Sequence, residues 1–376
     1  MSSGVSLGEI VRRIGPQYEQ SHRLTRPQRR ALRAISLCRT PALGGHLDQC
    51  THCGFRHMVW HSCRNRHCPR CQAEARKRWL EERKKELLPV PYFHVVFTVP
   101  DSLNAFAVAG PRQFYDILFA AVRETLLVIA SGPKRLGARI GALAVLHTWG
   151  QTLTLHPHVH CVVPAGGFSL DGRRWMRARH KNFFLPVRVL GRYFRRRFLE
   201  MLRQALGDDP SFRSRVEHTA DLLSCAARNE WVVYAKRPFG GPEQVLGYLA
   251  AYTHRIAISE RRIVSFDRAR LTFRYKDYRD GDREKLMELD TDEFLRRYLL
   301  HVLPERFVRI RHFGFLANRV RSNTLALARE QLGVTVPQHA VAEQVRSLPQ
   351  CPYCHVGSMI TVQSIDPLPV EGIDSS

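Results

Sequence analysis

The stretch LTLHPHVHCVV (Leu153 to Val163) places His156, His158 and His160 at alternating positions, with Pro157 among them. In an extended strand, side chains two apart share a face. Thr152, Thr154 and the three imidazoles would therefore line one side, and Leu153, Leu155, Val159, Cys161 and Val163 the other. An apolar face against a core and a row of imidazoles opposite it suits a metal such as zinc, manganese, iron or nickel. A lone histidine reads as a structural residue; three in register read as ligands. Pro157 implies an edge strand or a bulge. Hydrolytic metal sites commonly add a carboxylate base, and this strand holds no Asp or Glu. The nucleophile should come from another segment.

GYLAAYTHR supplies a candidate. Tyr248 and Tyr252 stand four apart on an expected helix, so both hydroxyls would project from one face. Aromatic residues at that spacing are usually core, and the pair gains meaning only beside the histidines. A phenol, with a pKa of about 10, attacks phosphorus slowly unless the phosphate is polarised or the proton removed. A divalent ion on histidine can polarise a scissile phosphate. The product would be a phosphotyrosine ester that conserves the bond energy, so strand joining needs no ATP. Two tyrosines on one helix would permit two successive transesterifications.

A second constellation is CTHCGFRHMVWHSCRNRHCPRC. Cys50 and Cys53 form one CxxC pair and Cys68 and Cys71 another, with fourteen residues between them. Two such knuckles can close four thiolates around one structural Zn²⁺. Cys63, His61 and His67 inside the loop could replace a ligand or serve a second ion, although each taken singly reads as a packing or solvent-facing residue. Arg64, Arg66 and Arg70 stand among the ligands, where a small zinc domain has little core to bury them, so phosphate contact is expected. CPYCH (Cys351, Cys354, His355) is a lone knuckle that would need a distant partner such as His339.

These residues sit in a chain of 376 residues that is 44% hydrophobic and carries a formal charge of +24. It can bury a substantial core, and its charge asks for a polyanionic partner. No segment is long and apolar enough to span a membrane, and no secretory leader is evident. Ten cysteines without one imply metal ligands or buried thiols in a reducing, cytoplasmic setting. Nucleic acid is the favoured partner, not a membrane.

The positioning elements read as follows. Residues 1–88 are rich in Arg, Cys and His and close with a charged helix, AEARKRWLEERKKELL, expected as a zinc-binding, DNA-recognition domain. PVPY ends that helix before a strand, YFHVVFTV. Residues 89–325 continue with an apolar helix near Phe114 to Ile129, a strand ALAVLHTW and the histidine strand. Then come a basic helix, VLGRYFRRRFLEMLRQAL, and another from about Pro242. Strands RRIVSF and RLTFRYKDY precede a helix, DEFLRRYLLHVL. Mixed helices and strands with hairpin-length connections indicate an α+β fold with an antiparallel sheet. Residues 326–376 form a tail with the lone knuckle and an acidic end expected to lack fixed structure.

In combination, these motifs resemble the two-tyrosine rolling-circle transposases of bacterial insertion sequences (IS91 type), within the HUH endonuclease superfamily. HPHVH supplies the pair His158 and His160 around Val159, and YLAAYTHR supplies the double tyrosine. SCRNRHCPRCQ, CRTPALGGH, FHVVFTVP and RIRHFGFLANR match in order and spacing, from about residue 8 to 325. The resemblance implies a small antiparallel sheet with flanking helices and a DNA transposase that nicks and joins single-stranded element ends and target. It implies attack by Tyr248 or Tyr252 to leave a 5′-phosphotyrosine and a free 3′-OH. His158 and His160 would hold Mg²⁺ or Mn²⁺, with His156 or Gln151 as third ligand, and the setting would be the bacterial nucleoid. In HVLPERF, Arg306 stands where the family usually shows a glycine before the phenylalanine, which bears on a turn. Two rivals are a non-catalytic zinc-finger DNA-binding protein and a metallohydrolase that uses water.

Overall fold

Three segments in which every second residue is apolar form the middle of the molecule. Tyr92–Thr98, Gly141–Trp149 and Leu155–Pro164 are strands of one antiparallel sheet. Its order is Ile310–Gly314, Gly141–Trp149, Leu155–Pro164, Tyr92–Thr98, Val233–Lys236. The computed structural model describes residues 5–178, 185–236, 257–334 and 348–368, with residues 244 and 247. The Pro242 helix and both tyrosines, Tyr248 and Tyr252, lie outside the described residues, as does His339.

The period of two along these strands gives the sheet two unlike faces. Phe93, Val95 and Phe97, with Ala142, Ala144, Leu146, Val159, Cys161 and Val163, bury one face. Against it pack the helices Pro111–Ser131 and Val187–Asp208, through Phe114, Leu118, Phe194, Phe198 and Leu202. The basic helix is amphipathic, so Arg192, Arg195 and Arg196 remain outside while its phenylalanines reach the core. The other face carries the histidines. The α+β antiparallel architecture is as the sequence indicates.

Two features of the histidine strand differ from expectation. Thr152 and Thr154 belong to the turn that precedes the strand, which begins at Leu155. Leu153 adopts a left-handed φ of 63° and is buried in a different apolar cluster. The strand is not at an edge, because it is hydrogen-bonded on both sides. Pro157 instead sits where the register slips: His147 pairs with His158, but Trp149 pairs with Leu155. A bulge there tolerates a residue that has no N–H to give.

A second core joins distant parts of the chain. The helix Leu7–Ser21, whose first turn is capped by Ser6, buries Leu7, Ile10, Val11, Ile14 and Tyr18 along one stripe. These meet Leu32 and Ile35 of the helix Arg26–Leu37, and Phe273, Phe294, Leu295 and Tyr298 from much later in the chain. Residues of 1–88 and 89–325 thus share one cluster. The later partners come from a three-stranded sheet, Ile263–Phe266, Arg270–Asp277 and Arg283–Asp290, and the helix Thr291–Leu299. The helix Arg321–Gln331 crosses the expected boundary at 325. Part of the tail also folds, as the strand Met359–Ile365, which pairs with Gly45–Cys50.

Arg306 takes a φ of 57°, so the turn that glycine would favour is present with arginine in it. A left-handed residue with a side chain costs about 1–2 kcal/mol, and glycine returns part of that as lost flexibility in the unfolded chain. Arg306→Gly is therefore expected to stabilise the protein by about 1 kcal/mol, read as a higher denaturation midpoint. A lower midpoint would mean that the Arg306 side chain contributes more than its backbone costs.

Candidate metal centre

On the polar face, His158 and His160 project together from the Leu155–Pro164 strand, as alternation requires. Their partner is His147, from the adjacent strand Gly141–Trp149. One nitrogen of each ring lies within 4.8 Å of the others, so the three can converge on one ion. Cross-strand pairing brings this about, since His147 lies directly opposite His158. The bulge at Pro157 sets that register just before the pair.

Hydrogen bonds select the ligating nitrogens. His158 Nδ1 donates to the carbonyl of His156 at 2.7 Å, which would leave Nε2 available to a metal ion. His160 Nδ1 lies 2.8 Å from Nε2 of His94, whose ring stacks parallel at 5.1 Å. With Nδ1 of His160 as donor and His94 as acceptor, Nε2 of His160 would be the atom available to a metal. Trp149 stacks on His147 at 4.8 Å and restrains that ring. Burial pushes His158 down to about 4 and His94 likewise to about 4, so both are neutral at physiological pH. Neutral imidazole is the ligating form.

His156 and Gln151, the expected third ligands, do not belong to the converging group. His156 is 42% exposed and its Nδ1 lies 3.5 Å from Asp101. Its ring lies 5.2 Å from that of His158, but the bulge breaks the alternation between 156 and 158, and His156 is not one of the converging group. Gln151 donates through Nε2 to the Tyr278 hydroxyl. The sequence did carry a signal for His147, a lone imidazole in ALAVLHTW, but only the pairing register shows what it faces. His94, in FHVVFTVP, was missed for the same reason.

His94 is a positioning residue, holding the His160 ring through one hydrogen bond. Such partners are worth about 10–100-fold in metal affinity. His94→Ala should weaken Mn²⁺ binding in calorimetry by that factor, and His94→Gln, which keeps an acceptor, should recover most of it. Unchanged affinity in His94→Ala would remove the role.

The cysteines divide differently from their spacing. Cys68 and Cys71 do not meet Cys50 and Cys53; they meet Cys38 and Cys63. Cys38 caps the end of the helix Arg26–Leu37, while Cys68 and Cys71 open the helix Pro69–Lys84. Their sulfurs are separated by 3.7 Å (Cys38–Cys71), 3.6 Å (Cys63–Cys71) and 3.6 Å (Cys68–Cys38). A zinc tetrahedron with Zn–S of about 2.3 Å has edges of about 3.8 Å, whereas a disulfide would need about 2.05 Å. Four thiolates on these edges fit structural Zn²⁺. Cys63 comes from inside the loop between the two pairs, and Cys38 from the start of CRTPALGGH, at the end of the preceding helix. Cys50 and Cys53 instead face Cys351 and Cys354.

Two of the three expected phosphate-binding arginines are committed internally. Arg66 donates to the Phe307 carbonyl at 2.7 Å, and burial lowers its pKa. Arg70 pairs with Glu260 at 3.0 Å. These contacts tie the zinc loop to the later elements. Arg64 is exposed, with a φ of 53°. Among the described residues, no helix is long and apolar enough to cross a membrane.

Comparison with known proteins matches the regions that carry the histidines and the first cysteine cluster. Residues 141–324, which include His147, His158 and His160, match the family model described as "Putative transposase". Residues 10–99 match the "Transposase zinc-binding domain". The chain is 50% identical over 389 residues to "Putative transposase y4qJ" of Sinorhizobium fredii (strain NBRC 101917 / NGR234), covering 97% of this chain and 96% of that protein. It is 30% identical over 320 residues to "Transposase for insertion sequence element IS801" of Pseudomonas savastanoi pv. phaseolicola, covering 80% and 73%. A solved structure of the conjugative relaxase TrwC in complex with oriT DNA aligns at 14% identity with a TM-score of 0.22, over 64% of this chain and 72% of that one. That overlap is too loose to carry a functional conclusion. With both family models matched in order and a relative similar along nearly its whole length, the chain belongs to the IS91-type family of insertion-sequence transposases, with an N-terminal transposase zinc-binding domain.

Proposed function

We propose that this DNA transposase nicks and rejoins single-stranded DNA by tyrosine transesterification at the histidine centre, in rolling-circle transposition. The observation that carries the reading is the convergence of His147, His158 and His160 on one face of the antiparallel sheet, inside the matched transposase region. A bound Mg²⁺ or Mn²⁺ would supply a Lewis acid that polarises a scissile phosphate. Three imidazoles suit that task, because an imidazole ligates in its neutral form and holds a dication without cancelling its charge. The group of ligands contains no carboxylate among the described residues, which favours a nucleophile other than metal-activated water.

Tyr248 and Tyr252 are the proposed nucleophiles. The phenol oxygen attacks phosphorus, the 3′-oxygen leaves with a proton, and the 5′-phosphate stays on tyrosine. Attack by a free 3′-OH then reverses the step on another strand and releases the phenol. The second tyrosine would serve the other element end or the target. Arg64 and the exposed arginines of the Val187–Asp208 helix offer phosphate contacts, consistent with the charge of +24.

Incubation of the full chain with a labelled single strand carrying the element end, with Mn²⁺, separates the readings. The proposal expects a covalent protein–DNA adduct that EDTA abolishes. Cleavage with no adduct would support the hydrolase, and binding without cleavage a DNA-binding regulator.

A further inference from the structure

We propose that Cys50, Cys53, Cys351 and Cys354 bind a second structural Zn²⁺ that clasps the C-terminal segment onto the N-terminal module. The pair Cys351 and Cys354 lies outside both matched family regions, and about 300 residues separate it from its partners.

The geometry repeats that of the first cluster. Cys50 and Cys354 sulfurs are 3.7 Å apart and Cys53 and Cys351 sulfurs 3.8 Å apart, close to the tetrahedral edge of about 3.8 Å. The two knuckles are also copies of one another. In the first, the His52 N–H donates to Cys50 Sγ at 3.3 Å, and the Gly54 N–H to the Cys50 carbonyl at 3.3 Å. In the second, the Tyr353 N–H donates to Cys351 Sγ at 3.4 Å, and the His355 N–H to the Cys351 carbonyl at 3.0 Å. The residue after each second cysteine is left-handed, Gly54 at a φ of 71° and His355 at 56°. A histidine held there is strained backbone, tolerated where the surroundings fix the turn. N–H groups aimed at sulfur stabilise thiolate, which is what a metal needs.

The knuckles are brought face to face by sheet pairing. Met359–Ile365 runs antiparallel to Gly45–Cys50, with Cys50 opposite Met359 and Gly45 opposite Ile365. Thr361 Oγ1 donates to Asp48, and Phe55 stacks on Tyr353 at 5.6 Å. Gly357 lies so close that a Cβ there would stand 2.6 Å from Cys50 Sγ. Yet the apolar cluster under this sheet is small: Cys50, Cys351 and Met359, with Phe55 and Cys354 packed against it. So small an apolar cluster gives this strand pairing little support, and coordination of a metal by the four thiolates would supply the rest.

The test is the metal content of the purified full chain, by elemental analysis and native mass spectrometry. The wild type is expected to hold two zinc ions, and Cys351→Ser/Cys354→Ser one. In that variant the 348–368 segment should become sensitive to protease while the rest resists. One zinc in the wild type, two in the variant, or iron in place of the second zinc would overturn the proposal. If the variant fails to fold, Co²⁺ titration of the wild type still decides it, because two tetrathiolate ions give twice the charge-transfer absorbance of one.

Discussion

His158→Ala is expected to lower the nicking rate about a thousandfold or more while leaving affinity for DNA within a few-fold of wild type. Removing one of three imidazoles takes away most of the hold on the divalent ion. Lewis-acid stabilisation at phosphorus is worth several kcal/mol, and about 1.4 kcal/mol is tenfold in rate. His160→Ala and His147→Ala should behave alike, since the three converge on one point. His156→Ala should not, because that ring pairs with Asp101 instead. DNA affinity survives because phosphate contacts come from the basic surface. Nicking at the wild-type rate by His158→Ala would remove the metal assignment, and a large loss in His156→Ala would restore the sequence-based ligand set.

The second large effect concerns the first cysteine cluster. Cys68→Ser is expected to unfold the N-terminal module and release its zinc, with loss of soluble, DNA-binding protein. Structural zinc contributes about 10–16 kcal/mol to the folding of small zinc modules, as much as the typical stability of a whole domain, about 5–15 kcal/mol. Cys68 also begins the helix Pro69–Lys84 and is buried in the core that holds Leu7, Ile10 and Phe294. Damage should therefore reach the elements around Tyr298, whose hydroxyl donates to the His67 carbonyl at 2.6 Å. Far-ultraviolet circular dichroism with zinc release measured by a chromogenic chelator would show it. A folded Cys68→Ser protein that keeps its zinc would contradict the ligand set Cys38, Cys63, Cys68 and Cys71.

What the sequence reveals and hides follows from locality. The histidine strand, the helix after Gly110 and the basic helix are legible because one segment's own periodicity decides them. That His158 and His160 share one face is legible for the same reason. His147, His94 and the thiolate partners are not, because they depend on which strand pairs with which and in what register. Spacing suggested that Cys50 and Cys53 would close on Cys68 and Cys71. The fold instead gives each pair a partner from elsewhere, Cys38 and Cys63 for one and Cys351 and Cys354 for the other. The arginines teach a related lesson. Arg66 and Arg70 look like a phosphate-binding group in the chain, but Phe307 and Glu260, more than 180 residues away, engage them.

The most direct test of the tyrosine mechanism is peptide mapping of the covalent adduct formed between the full chain, Mn²⁺ and a single strand carrying the element end. Mass spectrometry of the nuclease-trimmed complex is expected to place a 5′-phosphonucleotide on Tyr248 or Tyr252, and Tyr248→Phe/Tyr252→Phe to yield no adduct. A 5′-phosphonucleotide on any other residue, or strand cleavage by the double variant at the wild-type rate, would contradict it.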